Sequence, residues 1–196
     1  MPSGGAHDER EGGSGTGLMA TAATAAAILE GATVFTDLVG FTEFTALYGD
    51  AMAANILEAQ EQIVREELPA GARVVKELGD GMMLWFPDAC AAVSTALRLQ
   101  RRAEEESAAI EMPLWARIGI HWGRQMRRRD DLVGHDVNVA ARVVDVAGPG
   151  EVVVSEATKE KVGDGLPGVE FDEIGPVFMK GIPAAMRLYR VASEER

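Results

Sequence analysis

The chain has 196 residues, 47% of them hydrophobic and 26% charged, with a formal net charge of −12, which suits one globular domain with a real core and some spare tail. That acidity argues against general nucleic-acid binding, so a phosphate ligand would need local Arg, Lys or metal to reverse the field. Cys90 is the sole cysteine, which leaves no disulfide framework or cysteine-rich zinc site and fits a reducing cytoplasm.

Residues 1–17 (MPSGGAHDEREGGSGTG) read as a disordered Gly/Ser-rich leader without the positive start of a signal peptide. The alanine-rich stretch that follows, LMATAATAAAILEGA (18–32), is too short for a membrane span and is closed by Glu30. Within it, 18–30 is expected to form a short helix, and 18–31 a helix or linker ahead of the domain at 32–192. The first strand is ATVFTDL (32–38), rich in β-branched and aromatic residues. A helix with Asp50 as N-cap carries Ile56, Ile63, Val64 and Leu68 at helical spacing and stops at Pro69. ARVVKELGDGMMLWF (72–86) reads as two strands around Gly79-Asp80-Gly81, where glycine supplies the positive φ of a tight turn. Residues 88–106 form a second helix with Ala89, Ala92, Val93, Ala96 and Leu97 inward. WARIGIHWG (115–123) is a strand with Arg117, Gly119 and His121 on one face and Ile118 and Ile120 on the other.

The order β-α-β-β-α-β predicts an α+β, ferredoxin-like split βαβ core, a palm-like antiparallel sheet with helices on one face. In that topology the first strand lies beside the third, so Asp37 and Asp80 become neighbours. The basic run RQMRRRDD (124–131) is expected to be a solvated hairpin. Then come a helix at about 135–147, a turn at Gly148-Pro149-Gly150, and EVVVSEAT (151–158) as a strand running into a helix. Short strands around FMK (178–180) and RLYRV (187–191) complete these C-terminal α/β additions.

Four features carry chemistry. Asp37 interrupts the apolar run VFTDLVGFT (34–42), where an ionised carboxylate is costly unless a cation or donors meet it. Two carboxylates at adjacent loop tips suit Mg²⁺ or Mn²⁺ completed by phosphate and water, whereas taken alone Asp37 reads first as a strand end and Asp80 as a turn. On the helix of GHDVNVAARVVDVAG (134–148), Val137, Ala140, Ala141, Val144 and Ala147 form an apolar face, and Asn138, Arg142 and Asp145 share another. That is the pattern of an amphipathic surface helix, and also of a neutral donor one turn from a fixed cation. Alternation puts Lys76 on the face of Val74 and Leu78, where it needs a partner or snorkels from an edge strand. His121 reads as a structural strand residue, and no GxxxxGK[ST] loop is present.

The stretches VFTDLVGFT (34–42), VVKELGDGMMLWF (74–86), ARIGIHWG (116–123), DLVGHDVNVAARV (131–143), GEVVVSEAT (150–158) and FMKGIPAAMRLYRV (178–191) together resemble the class III nucleotidyl cyclase catalytic domain, the adenylyl and guanylyl cyclase family. The resemblance covers nearly all of 32–192. It implies that Asp37 and Asp80, with the Leu38 carbonyl, hold two Mg²⁺ or Mn²⁺ ions. Lys76 and Asp131 would read adenine, Asn138 orient the ribose, and Arg142 stabilise the transition state at the α-phosphate. Arg117 and Lys180 would hold the β- and γ-phosphates, with the backbone at Phe41 and Thr42 turned toward the triphosphate.

The implied activity is an adenylate cyclase acting as a head-to-tail homodimer with shared sites. A guanylyl or unselective cyclase, or a weakly catalytic nucleotide-binding module, is the alternative. A guanine-selective site of the family usually replaces the Lys/Asp pair with residues such as Glu and Cys. The sequence departs from the family at Trp122, where a small residue is common, and in the short arginine-rich segment before Asp131.

Overall fold

The computed structural model describes residues 27–110 and 116–193. Strand β1 (Ile28–Leu38) is the central rod of the sheet. Its first residues correct the helix expected over 18–30, since Ile28, Leu29 and Glu30 pair with Met126, Gln125 and Arg124. Alanine-rich composition favours helix locally, but a full-length partner strand overrides so weak a preference. The leader and residues 18–26 lie outside the described residues.

Helix α1 (Phe41–Tyr48) was not anticipated. Gly40 and Gly49 take positive φ at its two ends, so α2 (Asp50–Glu67) starts as a separate helix. Gly49 is therefore the N-cap and Asp50 the first helical residue, where its charge favours the helix dipole. Strands β2 (Arg73–Glu77) and β3 (Gly81–Phe86) form the expected hairpin, and α3 (Ala89–Ile110) returns the chain to β4 (Ala116–Arg128). The run 124–128 extends β4 and turns into β5 (Asp131–Val133), the hairpin expected of the arginine cluster. Next come α4 (His135–Val143) with a 3₁₀ turn at 144–146, β6 (Val152–Ser155), α5 (Glu156–Val162), β7 (Val169–Val177) and β8 (Met186–Ser193).

The strand expected at 178–180 is a turn, and β7 precedes it. Asp172, Glu173 and Pro176 obscure β7 in the sequence. They are tolerated because β7 is an edge strand paired only with β8.

The sheet order is β2-β3-β1-β4-β6-β8-β7, with β5 off β4. Every pairing is antiparallel except β4 with β6. Core helices α2 and α3 cover one face, where Val34, Leu84, Ile118 and Ile120 meet Val64, Val93 and Ala96. Helix α4 covers the opposite face, against Phe35, Met83 and Leu132. Alternation along β1 thus sends even-numbered residues toward α2 and α3, and Phe35 and Asp37 toward the α4 face.

Candidate active site

Asp37 is the second-last residue of β1 and stands opposite Gly81 on β3 and Arg117 on β4. The Leu38 amide donates to the Asp80 carbonyl at 3.2 Å, which ties the β2–β3 tip to the end of β1. A Cβ at Gly81 would fall 2.2 Å from the Thr36 carbonyl oxygen, so only glycine allows this approach. Asp37 and Asp80 are therefore neighbours, as the topology predicts. Burial, and then the negative charge of Asp37, push the Asp80 carboxyl above its usual range. Arg117 answers the charge on its other side, with Nε and Nη2 each 2.6 Å from Asp37 Oδ2.

Phe41 and Thr42 are the first two residues of α1. The Phe41 ring packs toward Leu38 and Ile56, and the Phe44 amide closes the first turn onto the Gly40 carbonyl at 2.9 Å. The amides of 41 to 43 stand ahead of the helix ladder, as at any helix N-terminus.

The second cluster is Lys76 with Asp131, Nζ to Oδ2 at 2.9 Å. Simple alternation misplaces Lys76. Val74 opposes Leu84 and Lys76 opposes Met83, with Val75 as an extra residue between them. Leu84 belongs to the α2/α3 face and Met83 to the α4 face, so the bulge turns Lys76 away from Val74 and toward Asp131. The Lys76 bond, helped by the Leu132 amide at 2.8 Å, holds the Asp131 carboxyl below its usual range.

Asn138 and Arg142 lie on the exposed side of α4, and Arg142 Nη1 donates to Asp145 Oδ2 at 3.0 Å. The expected apolar face holds at Val137, Ala140 and Val144, buried against Phe35 and Met83 with Ala141 half-buried beside them, but not at Ala147, which lies beyond the 3₁₀ turn where helical periodicity no longer applies. A second, unforeseen one carries Val139, Val143 and Ala147 against Val153, Met179 and Leu188. Helix α4 is thus clamped on two sides, which leaves a narrow exposed strip for Asn138, Arg142 and Asp145. Lys180 is exposed in the turn after β7, beside the buried Met179.

His121 is buried, as a structural residue should be. Its Nδ1 lies 2.7 Å from Ser155 Oγ, and burial lowers its pKa. Asp136, which the sequence reading passed over, accepts a bond from the Arg124 amide at 2.6 Å. A backbone amide across the fold leaves no signature near residue 136, so no local pattern could have found it.

Among the described residues no three His, Cys, Asp or Glu side chains gather as a metal cage. An ion at Asp37 and Asp80 would draw further oxygens from backbone, water and ligand, which is how Mg²⁺ is commonly held. The donor set fits such an ion: two hard carboxylates whose mutual repulsion a divalent charge would relieve.

Residues 26–193 match the family model described as the adenylate and guanylate cyclase catalytic domain. The pH-sensitive adenylate cyclase of Mycobacterium tuberculosis is 30% identical over 159 residues, 80% of this chain and 39% of that protein. An adenylate cyclase of Streptomyces coelicolor is 33% identical over 65% of this chain and 33% of its own length, so the chain spans well under half of either relative. The crystal structure of an adenylyl cyclase from P. aeruginosa superposes with a TM-score of 0.73 at 23% identity, covering 87% of this chain and 97% of that one, which shows the shared fold. The chain belongs to the adenylate and guanylate cyclase catalytic-domain family.

Proposed function

We propose that the chain is an adenylate cyclase, converting ATP to 3′,5′-cyclic AMP and pyrophosphate. The observation that carries the choice of ATP is the Lys76–Asp131 pair on the α4 face. Adenine offers ring-nitrogen acceptors and an exocyclic amine donor, which match a Lys donor and an Asp acceptor. The adenylate cyclase names of the relatives support the same reading.

Asp37 and Asp80, with the Leu38 carbonyl, would hold two Mg²⁺ or Mn²⁺ ions. When bound, these ions ease deprotonation of the ribose 3′-OH and offset charge on the departing pyrophosphate. Asn138 holds the ribose so that its 3′-oxygen stands in line with the α-phosphorus. The 3′-oxygen–phosphorus bond forms, the bond to the bridging oxygen breaks, and pyrophosphate leaves with the electron pair. Water or a substrate phosphate accepts the proton. Arg142 donates to the α-phosphoryl oxygens as charge builds there. Arg117 and Lys180 hold the β- and γ-phosphates, and the amides at Phe41 and Thr42 face the triphosphate from the start of α1.

Two features favour a site shared between copies. Asn138 and Arg142 face outward from α4, and Arg142 is bonded to Asp145 rather than directed at Asp37. A head-to-tail homodimer would set the Asp37–Asp80 tip of one copy against Lys76, Asp131, Asn138 and Arg142 of the other. A cytoplasmic setting belongs to the same reading and rests on the free thiol of Cys90. No helix among the described residues is long and apolar enough to cross a membrane.

The test is to incubate purified protein with ATP or GTP and Mg²⁺ or Mn²⁺ and to measure cyclic product. Cyclic AMP should form, and Asp37→Ala should lower its rate by roughly 100-fold or more. No cyclic AMP at any protein concentration, or faster turnover of GTP, would overturn the reading.

A further inference from the structure

Asp136 belongs to neither cluster of the proposed site, yet it ties the helix that carries Asn138 and Arg142 to the sheet. It is the second residue of α4. Its Oδ2 accepts the Arg124 amide hydrogen at 2.6 Å, and its Oδ1 lies 3.7 Å from His121 Nε2. Gly123 makes the approach possible, because a Cβ there would sit 2.3 Å from Asp136 Oδ2.

The connections continue inward from His121. Its Nδ1 is 2.7 Å from Ser155 Oγ, and that hydroxyl is 3.1 Å from Thr158 Oγ1. Thr158 Oγ1 accepts from the Trp122 amide at 2.9 Å and donates to the Ile120 carbonyl at 3.3 Å. On the other side of the imidazole, Nε2 faces the Asp136 carboxylate. A buried polar chain therefore runs from α4 through β4 to β6 and α5.

Helix α4 needs such an anchor. Its N-cap is Gly134 at φ 139, with no side chain to cap the first turn. Tertiary bonds to Asp136, rather than a local cap, thus fix where the helix begins. Asn138 follows two residues later in that same turn, its amide bonded to the Gly134 carbonyl at 3.2 Å.

We propose that Asp136 is a positioning residue, which seats the first turn of α4 on β4 and thereby sets Asn138 and Arg142 in register for the reaction. This rests on the cyclase reading above. Because those two residues act on the ribose and the transition state, loosening the helix start lowers kcat more than it raises KM.

The experiment compares Asp136→Ala, Asp136→Asn, Gly123→Ala and Asn138→Ala for kcat and KM with ATP, and for melting temperature. Asp136→Ala should lower kcat by about 10-fold with KM for ATP within about twofold. Asp136→Asn keeps an oxygen acceptor for the Arg124 amide and should retain about half of kcat or more. Gly123→Ala displaces the carboxylate while leaving its charge in place and should reproduce the loss, which covers the case of an Asp136→Ala protein that does not fold. Unchanged kcat in Asp136→Ala, or equal losses in the Ala and Asn variants, overturns the proposal. If Asn138→Ala loses kcat while Asp136→Ala keeps it, only this inference falls. If Asn138→Ala also keeps kcat, the catalytic reading of α4 falls with it.

Discussion

Asp37 sits between a like charge and an opposite one, and the balance between them sets what the site costs and what it can bind. Asp80 is half-buried beside it and its carboxyl is raised, so holding Asp80 ionised near neutral pH works against folding. The sign follows from linkage: a carboxyl raised in the folded chain contributes its full stability below its unfolded value and loses it as pH rises through the folded one. Asp80→Asn, melted without divalent ions at pH 7 to 8, should therefore unfold roughly 1–3 °C higher than the native chain while losing cyclase activity. An unchanged or lower melting temperature would show that Asp80 carries no such penalty.

Arg117 stands on the other side, with two nitrogens on one oxygen of Asp37. A guanidinium and a divalent cation compete for the same lone pairs. Arg117→Gln should thus bind Mn²⁺ about 2- to 5-fold more tightly in the absence of nucleotide, as read by electron paramagnetic resonance, since a partly exposed ion pair is worth up to ~1 kcal/mol. The same variant should show a higher KM for ATP, because it lacks a phosphate donor. Unchanged Mn²⁺ affinity would mean that Arg117 does not guard Asp37.

Much of this was legible from residues alone. A carboxylate set into an apolar strand is conspicuous, and the order of elements predicted its partner 43 positions away. The face of Lys76 was not legible, because a single inserted residue at Val75 reverses the alternation that any reading of β2 relies on.

At the scale of elements, the site depends on how closely α4 approaches β4. Gly119 marks the point of contact: a Cβ there would lie 2.2 Å from the Val144 amide nitrogen and 2.5 Å from its Cα. Backbone cannot yield as a side-chain end can, so Gly119→Ala must lift the end of α4 away from the strand. The expected result is a loss of about 1–3 kcal/mol in a urea titration, together with a drop in kcat. Native stability and activity in this variant would contradict the close packing.

The sequence showed one apolar stripe on α4, because the stripe toward the sheet follows helical periodicity. The second stripe meets Met179 and Leu188, which arrive from far along the chain, and no local pattern announces them. Edge strand β7 escaped for a related reason. Its charged residues and Pro176 obey no alternation, and pairing with β8 alone makes it a strand. The first residues of β1 repeat the lesson, since only the length of β4 recruits them.

At the scale of the molecule, a chain of net charge −12 is proposed to bind a polyanion, so its cations must be concentrated where the phosphates lie. Arg117 is near the acidic tip, whereas Arg142 sits on the outer strip of α4 and Lys180 in the turn after β7. This scattering makes sense if two copies assemble the site, and it was foreseeable only through the family resemblance, since a single chain carries both halves of the residue set. The central claim is that one copy supplies the carboxylates and the other the transition-state arginine. It is tested most directly by mixing Asp37→Ala and Arg142→Ala proteins, each inactive alone, and measuring cyclic AMP. Random pairing into twofold dimers should restore about a quarter of native activity, since half the dimers are mixed and each mixed dimer holds one intact site. No recovery despite demonstrated mixed dimers would contradict the shared site.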